Sequence, residues 1–402
     1  MPDRKPRILL GVTVSQSLIL MRGLPAFLAD RGWEVHVVSS AGPEQDALRG
    51  IDGVTVHSLA MARNPAPVAD LRSLWLWIRL LRSVRPDLVS VGTPKAGLLG
   101  GIAGLLARVP RRVYMLRGLR LATASGAGRA VLAAFERMSM ATAHTVVSVS
   151  PSLRAEVIGL GLTPADKVVV LGSGSSNGVD VDAFGPERFS ERDTQELRQT
   201  LGLEVEPPVI GFVGRLTADK GLRALAEARR ILVDRGIDHQ LLLVGQTEAT
   251  ADHEELALLR TSGRPPVETG AVTDPAPYYR LMDLLCLPTL REGFPNVVLE
   301  AAASSVPTVT TDATGAVDSV VDGVTGLIVQ AGSGASLAEA LAALIDDPDA
   351  RTRMGHASRK RVVQEFDRRT VADRTDLFYR AELARSLRSA SDLDGDWIGT
   401  TR

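Results

Sequence analysis

Leu284-Leu285-Cys286-Leu287-Pro288-Thr289-Leu290-Arg291-Glu292-Gly293-Phe294-Pro295-Asn296-Val297-Val298-Leu299-Glu300 is the stretch on which the reading of this chain turns. The apolar run before Pro288 has the length of a buried strand, residues 289–293 form its exit loop, and Pro295 is placed as the first helical residue, where a missing N–H costs nothing. A helix beginning there aims unpaired backbone N–H groups at whatever lies beyond the strand, which suits a diphosphate or sugar hydroxyls. Glu292 lies on the loop and Glu300 in the second helical turn. Eight residues at about 100° each do not share a helical face, so the two carboxylates address different parts of one extended ligand and are not a catalytic pair.

The same strand–loop–helix unit repeats in both directions. Residues 8–14, 34–38, 54–58, 87–91, 112–116, 145–149 and 167–170 are strand-like, and helical patterns fill 18–31, 68–84, 95–108, 128–143 and 151–160. Periodicity stops around 181–187, read as a linker. A second series opens at 207–214 and continues through 240–244, 267–269, 284–287, 308–310 and 326–329. Helices follow at 350–365 and from about 370 to 387, the last able to cross back onto the first domain. The expectation is therefore an α/β protein of two Rossmann-like parallel-sheet domains, 1–185 and 186–368, facing each other across a ligand cleft, with a crossover helix and polar tail over 369–402. From Ser389 the tail is short, polar and expected to fray.

Composition narrows the function. The 402 residues are 45% hydrophobic and only 4% aromatic, with 37 glycines, as fits an α/β fold with many tight turns. Basic and acidic residues number 46 and 47, so nothing favours nucleic acid as a partner. One cysteine, Cys286, excludes an intrachain disulfide framework and points to a reducing compartment. Six scattered histidines form no ligand pattern, so no metal is expected. They read as structural or surface residues, and no elbow around a serine or Cys–His pattern signals a hydrolytic nucleophile. The first residues are too short an apolar run for a signal peptide, and no apolar stretch reaches the roughly 18 residues of a spanning helix.

Several motifs carry the chemistry. In Gly211-Phe212-Val213-Gly214-Arg215-Leu216-Thr217-Ala218-Asp219-Lys220-Gly221, a guanidinium and an ammonium follow a strand and can together neutralise a diphosphate leaving group. Glu300, set in an apolar run, needs a hydrogen-bond partner, and ribose hydroxyls are good donors. Glu292 and the amides of Gly293 to Asn296 would then face the sugar, with the Phe294 ring either packing the loop or stacking on a base. Residues 312–317 either line the same crevice or form a plain turn. In the first half, Lys95 follows a strand and either meets a phosphate or is a solvated lysine at a helix start. Arg117, after another strand, either contacts a charged acceptor or the transferred sugar or is a basic residue with no ligand role. The segment 71–82 sets Arg72, Arg79 and Arg82 around Trp75 and Trp77, which fits either core packing or an interfacial helix. Residues 171–180 read as a flexible loop that either borders the crevice or acts in domain closure.

Four pieces together resemble a known family: Gly214-Arg215-Leu216 with Asp219-Lys220-Gly221, Glu292 through Ala301, Asn177-Gly178-Val179-Asp180, and 321–329. The chain resembles retaining glycosyltransferases of family 4, the group 1 enzymes of GT-B fold, from about Arg7 to Glu365, and looks closest to bacterial polysaccharide and glycan enzymes. The resemblance implies catalytic Arg215, Lys220 and Glu292, donor contacts from Gly214, Gly293 to Val297 and Glu300, and acceptor-side positions at Ser15, Lys95 and Arg117. It implies a nucleotide sugar, UDP-linked, as donor substrate, no cofactor, no metal, and front-face transfer of a hexose or N-acetylhexosamine. It further implies a hydroxyl acceptor, a glycan on polyprenyl diphosphate or a soluble natural product, and a cytoplasmic enzyme with peripheral contact at the inner membrane face. Two departures are Arg117, where many relatives have histidine, and Val14-Ser15-Gln16-Ser17, where many have a glycine pair. A sugar-nucleotide epimerase, a phosphorylase and a noncatalytic sugar-nucleotide-binding protein are the competing readings.

Overall fold

The computed structural model describes residues 4–62, 66–119, 121, 126–247 and 253–395. The chain forms two compact units, Met1–Asn177 with Val371–Arg402, and Gly178–Thr370. Residues 178–185, grouped with the first half on sequence, sit in the second unit. There the Val179 N–H donates to the Phe366 carbonyl (2.9 Å), the Arg368 N–H donates to the Val179 carbonyl (2.8 Å), and the Arg368 side chain reaches Asp180 (3.1 Å).

The first unit runs β1 (Arg7–Gly11), α1 (Leu24–Asp30), β2 (Glu34–Ser39), α2 (Pro43–Asp46), β3 (Val54–Ser58), α3 (Pro67–Val84), β4 (Leu88–Gly92), α4 (Pro94–Leu106), β5 (Arg111–Leu116), α5 (Gly126–Thr142), β6 (Thr145–Ser148), α6 (Pro151–Gly159) and β7 (Val168–Val170). Its seven strands are all parallel, in the order β3-β2-β1-β4-β5-β6-β7. Strands buried on both faces need apolar residues throughout, which is why β4 to β6 read as apolar runs without alternation. Right-handed crossovers group α3, α4 and α5 on one face, with α4 packed against both others. Glycines allow that approach: a Cβ on Gly101 of α4 would stand 2.3 Å from the Thr142 hydroxyl of α5. The single helix expected over 18–31 is instead a 3-10 stretch, Ser15–Met21, and α1. Gly23 adopts φ 80° between them and Pro25 brings no N–H, so no continuous ladder can form.

The second unit contains α7 (Glu191–Thr200), β8 (Val209–Val213), α8 (Leu222–Asp234), β9 (Gln240–Val244), α9 (His253–Thr261), β10 (Val267–Gly270), α10 (Ala276–Tyr279), β11 (Leu284–Leu287), α11 (Asn296–Ala303), β12 (Thr308–Thr311), β13 (Gly326–Val329), α12 (Gly334–Asp346) and α13 (Pro348–Glu365). Six parallel strands lie in the order β10-β9-β8-β11-β12-β13. The core joins Ile210, Phe212, Leu241 and Leu284 to Leu225 of α8 and Leu341 of α12. At roughly 1.5–3 kcal/mol for each large side chain removed from water, such a layer is the main source of stability. Cys286 is fully buried in β11, and burial holds its thiol far above the ordinary range.

The last helix, α14 (Arg368–Gly395), returns as expected: from Val371 it belongs to the first unit. Ala372 and Tyr379 enter the core with Ile8, Val35 and Leu88. Trp33 donates its indole N–H to Asp376 (2.6 Å), and the Tyr379 hydroxyl pairs with that of Ser90 (2.9 Å). The segment from Ser389, expected to fray, is helical as far as Gly395. The remaining tail, including Trp397, lies outside the described residues.

Candidate active site at the carboxyl edge of the second sheet

In the second unit the strand order reverses between β8 and β11, so their exit loops leave in opposite directions and free a place at the carboxyl edge. Both loops carry charge. Lys220 follows β8 on a 3-10 turn, Ala218–Lys220, and not on the helix itself, because Gly221 takes φ 77° before α8 starts. A Cβ on Gly221 would stand 1.8 Å from the Pro288 carbonyl oxygen, so only glycine lets the two loops touch. Across that contact Lys220 Nζ donates to Glu292 Oε1. The pair is mostly buried, with side chains 18% and 14% exposed.

A second pair crosses beside it. Arg291 Nη2 bonds Asp219 Oδ2 at 3.0 Å, and the Thr217 hydroxyl donates to Asp219 Oδ1 at 2.6 Å. Burial opposes the Asp219 charge, yet the Thr217 hydrogen bond and the cations Arg291, Lys220 and Arg215 outweigh it and hold its carboxyl below the ordinary value. Arg215 itself is exposed. Gly214 takes φ 145° and donates its N–H to the Val244 carbonyl (2.9 Å), while Gly245 closes on its carbonyl.

Helix α11 begins at Asn296, one residue later than expected, with Pro295 as the flanking extended residue. The loop after β12 closes on its approach: the Glu292 N–H donates to the Thr314 carbonyl (2.9 Å), and a Cβ on Gly315 would stand 2.4 Å from the Gly293 carbonyl oxygen. Of 312–317, then, Thr314 and Gly315 adjoin the site. The Phe294 ring is buried against Phe366, centroids 5.2 Å apart, so this residue offers a ligand its backbone and not its ring. Val297 is half-buried in the first turn. Glu300 accepts a hydrogen bond from the Tyr279 hydroxyl at 2.8 Å. Part of the partner demand that the sequence assigns to ribose is thus met by α10. Burial, and then the Glu300 charge, raise Tyr279 well above its usual range and keep it a donor.

The first unit has its own reversal, between β1 and β4, furnished with hydroxyls. Thr93 sits at φ 75°, a strained position for a β-branched residue. Its hydroxyl accepts from the Thr13 N–H (3.0 Å) and pairs with the Thr13 hydroxyl (2.8 Å), which accepts from the Ala96 N–H (3.1 Å). Lys95 is held by Asp70 at 2.7 Å. Ser15 is buried, donating to Glu44 (2.7 Å) and accepting from the Gln45 N–H (3.0 Å). Beside it opens a cavity of about 430 Å³ edged by Leu18, Ile19, Arg22, Glu44 and Leu48. Arg117 Nε donates to the Ser176 hydroxyl (2.7 Å), its Nη1 is buried without a partner, and burial pushes the guanidinium down to about 10. The structure therefore brings Lys220 and Glu292 together in one unit and keeps Ser15, Lys95 and Arg117 on the other. Among the described residues no histidine, cysteine or carboxylate cluster is placed to hold a metal.

No role is read from sequence for Asp219, Arg291 or Tyr279, although Asp219 belongs to one of the motifs above. The signal for the first two is the adjacency of Asp219-Lys220 in one loop and Arg291-Glu292 in the other, charges that match only once β8 and β11 are neighbours.

Residues 207–347 match a family described as glycosyl transferases group 1, and residues 21–174 one described as glycosyl transferase 4-like domain. Over 378 residues the chain is 38% identical to the capsular polysaccharide biosynthesis glycosyltransferase CapM of Staphylococcus aureus, covering 93% of this chain and 97% of that one. Among solved structures it is similar to sucrose-phosphate synthase from Thermosynechococcus elongatus, with TM-score 0.77 and 19% identity over 95% of this chain and 100% of that one. It is also similar to Anabaena HepE in complex with UDP-glucose, with TM-score 0.74 and 21% identity over 95% and 99%. Paired parallel sheets of this topology define the GT-B class of fold. The chain belongs to the group 1, family 4-like glycosyltransferases.

Proposed function

We propose that the chain transfers a hexose or N-acetylhexosamine from a UDP-linked donor to a hydroxyl of a glycan acceptor in the assembly of a surface polysaccharide, with retention and without a metal. What carries this reading is the pairing of Lys220 with Glu292 across the β8 and β11 loops. An ammonium has three donors, so Lys220 can keep Glu292 and still meet a phosphate oxygen, while the second oxygen of Glu292 accepts from a sugar hydroxyl. Arg215 adds the second cation that a departing diphosphate needs, which is the role a divalent metal plays elsewhere. Glu300, steadied by Tyr279, is assigned to the ribose hydroxyls. Capsular polysaccharide synthesis and a UDP-sugar ligand are attached by name to CapM and HepE, and both favour this choice of donor and product. The acceptor, a glycan on polyprenyl diphosphate, is assigned to the first unit and its loops bearing Ser15, Lys95 and Arg117, acting in the cytoplasm at the inner membrane face. Retention follows from the family resemblance.

The test is calorimetry with UDP-, GDP-, ADP- and dTDP-sugars in EDTA, bare nucleotides as controls. One sugar nucleotide should bind selectively, and Glu300→Ala should weaken it about tenfold or more, the size of a lost hydrogen bond to a charged group. Absence of binding by every donor overturns the reading. Donor binding without transfer to any acceptor would make the protein a noncatalytic sugar-nucleotide binder, and product formed with no acceptor would make it an epimerase.

A further inference from the structure

Four charged residues meet where the β8 and β11 loops touch, and they pair in a crossed pattern. Asp219-Lys220 and Arg291-Glu292 each set an acid beside a base in sequence, yet each acid is held by the base of the other loop. Lys220 and Glu292 are the two assigned to a donor, whereas Asp219 and Arg291 carry no such assignment. Both are nevertheless fixed in place. Asp219 Oδ1 accepts from the Thr217 hydroxyl (2.6 Å) and Oδ2 from Arg291 Nη2 (3.0 Å), so both carboxylate oxygens face donors. The Asp219 carbonyl accepts from the Leu290 N–H (3.0 Å), and the buried Thr289 hydroxyl lies between that carbonyl (3.3 Å) and the Arg291 carbonyl (3.0 Å). Among the described residues Asp219 is the one acceptor that the Arg291 side chain has, and Arg291 Nε is buried with no partner.

The crossing matters because each member of this second pair has a rival partner close by. Asp219 lies within electrostatic reach of Lys220 and Arg215 as well as Arg291. A carboxylate there that lost Arg291 would draw the Lys220 ammonium off Glu292 and would oppose any further anion in the same place. A guanidinium that lost Asp219 would draw on Glu292, its neighbour in the chain, instead. The Asp219 and Arg291 side chains are only 25% and 30% exposed, so water compensates an orphaned charge incompletely. While both are present each occupies the other, Lys220 stays on Glu292, and the ammonium keeps its remaining N–H donors for phosphate oxygens.

We propose that Asp219 and Arg291 are a positioning pair for the transfer reaction: they touch no donor atom, and by neutralising each other across the two loops they hold Lys220 to Glu292 and stop a second carboxylate from competing with the donor diphosphate. This role rests on the reading of Lys220 and Glu292 as donor-site residues.

The experiment titrates the full chain by calorimetry with UDP and with UMP, which lacks the second phosphate. Arg291→Gln should weaken UDP about tenfold, the size of a lost hydrogen bond to a charged group, and UMP far less. Asp219→Asn, which removes the competing acid, should leave UDP within about threefold. Arg291→Gln combined with Asp219→Asn should return UDP to within about threefold of wild type, because no orphaned carboxylate is left to hold Lys220. Damage to the fold or loss of a direct phosphate contact would not be repaired by the second substitution, and unfolding followed by circular dichroism reports on the fold of each variant. A double variant that binds UDP no better than Arg291→Gln overturns the role and makes Arg291 a phosphate contact or a packing residue. Wild-type UDP affinity in Arg291→Gln, an equal loss for UMP, or an equal loss in Asp219→Asn overturns it as well. A wild-type chain that binds neither nucleotide removes the donor site and the pair's role with it, a result distinct from failure of the rescue.

Discussion

The two sheets reverse strand order in the same way but furnish the reversal differently. Beside β8 and β11 stand two crossed ion pairs, Lys220 with Glu292 and Asp219 with Arg291. Beside β1 and β4 stand two threonine hydroxyls, with Lys95 drawn aside by Asp70 and Arg117 bonded to a serine. Both arrangements satisfy polar groups at an open sheet edge. The first sets two ion pairs side by side, whereas the second sets hydroxyls at the edge with one ion pair to the side, and the lesson is that one topology is given different chemistry by the loops it carries.

The sharpest way to break this contrast is to remove the two lysines separately. Lys220→Ala should lower turnover by about 10²–10³-fold while weakening the bare nucleotide far less, since its charge counts most where negative charge develops. Lys95→Ala should cost several-fold only. Equal losses measured in steady-state kinetics would erase the distinction between the two edges. A smaller effect is expected from Tyr279→Phe, which takes one hydroxyl from Glu300. The second unit should lose about 1–2 kcal/mol by calorimetric unfolding, and unchanged stability would mean that other contacts hold Glu300 alone.

The smallest effect concerns pH and belongs to the first unit. His144 accepts the Arg112 N–H at Nδ1 (3.1 Å), and burial, then the charges of Arg112, Arg111 and Lys167, press its imidazole from 6.5 down to about 4. A depressed value favours the neutral form in the folded state. Its contribution is therefore complete above 6.5 and disappears as pH falls from 6.5 through 4, and half exposure keeps it modest. Histidine NMR should show a midpoint near 4, and His144→Asn should flatten the acid limb of unfolding; an ordinary midpoint would detach His144 from the cation cluster.

Much of this was legible in the sequence because period and punctuation carry it. The strands Val54–Ser58, Gln240–Val244, Leu284–Leu287 and Gly326–Val329 fall where apolar runs between turn residues place them. Breaks that depend on one backbone angle were not legible, such as Gly23, nor was α7, whose polar sequence has no apolar stripe to reveal it. Within the candidate site, Lys220 and Glu292 stood out singly as charged residues after apolar strands. Their contact did not, because it requires β11 to lie beside β8 and Gly221 to admit Pro288. Tyr279 was hidden for a similar reason: it belongs to a four-residue helix, too short for any periodicity, and meets Glu300 only through packing.

Cys286 has a practical corollary. It is the chain's one thiol, sealed inside β11 and held protonated, so maleimide reagents will pass it by in the native protein. A cysteine introduced at an exposed position, as in Val68→Cys, would then take a single fluorophore with Cys286 left in place, so the chain comes ready for distance and orientation measurements by spectroscopy.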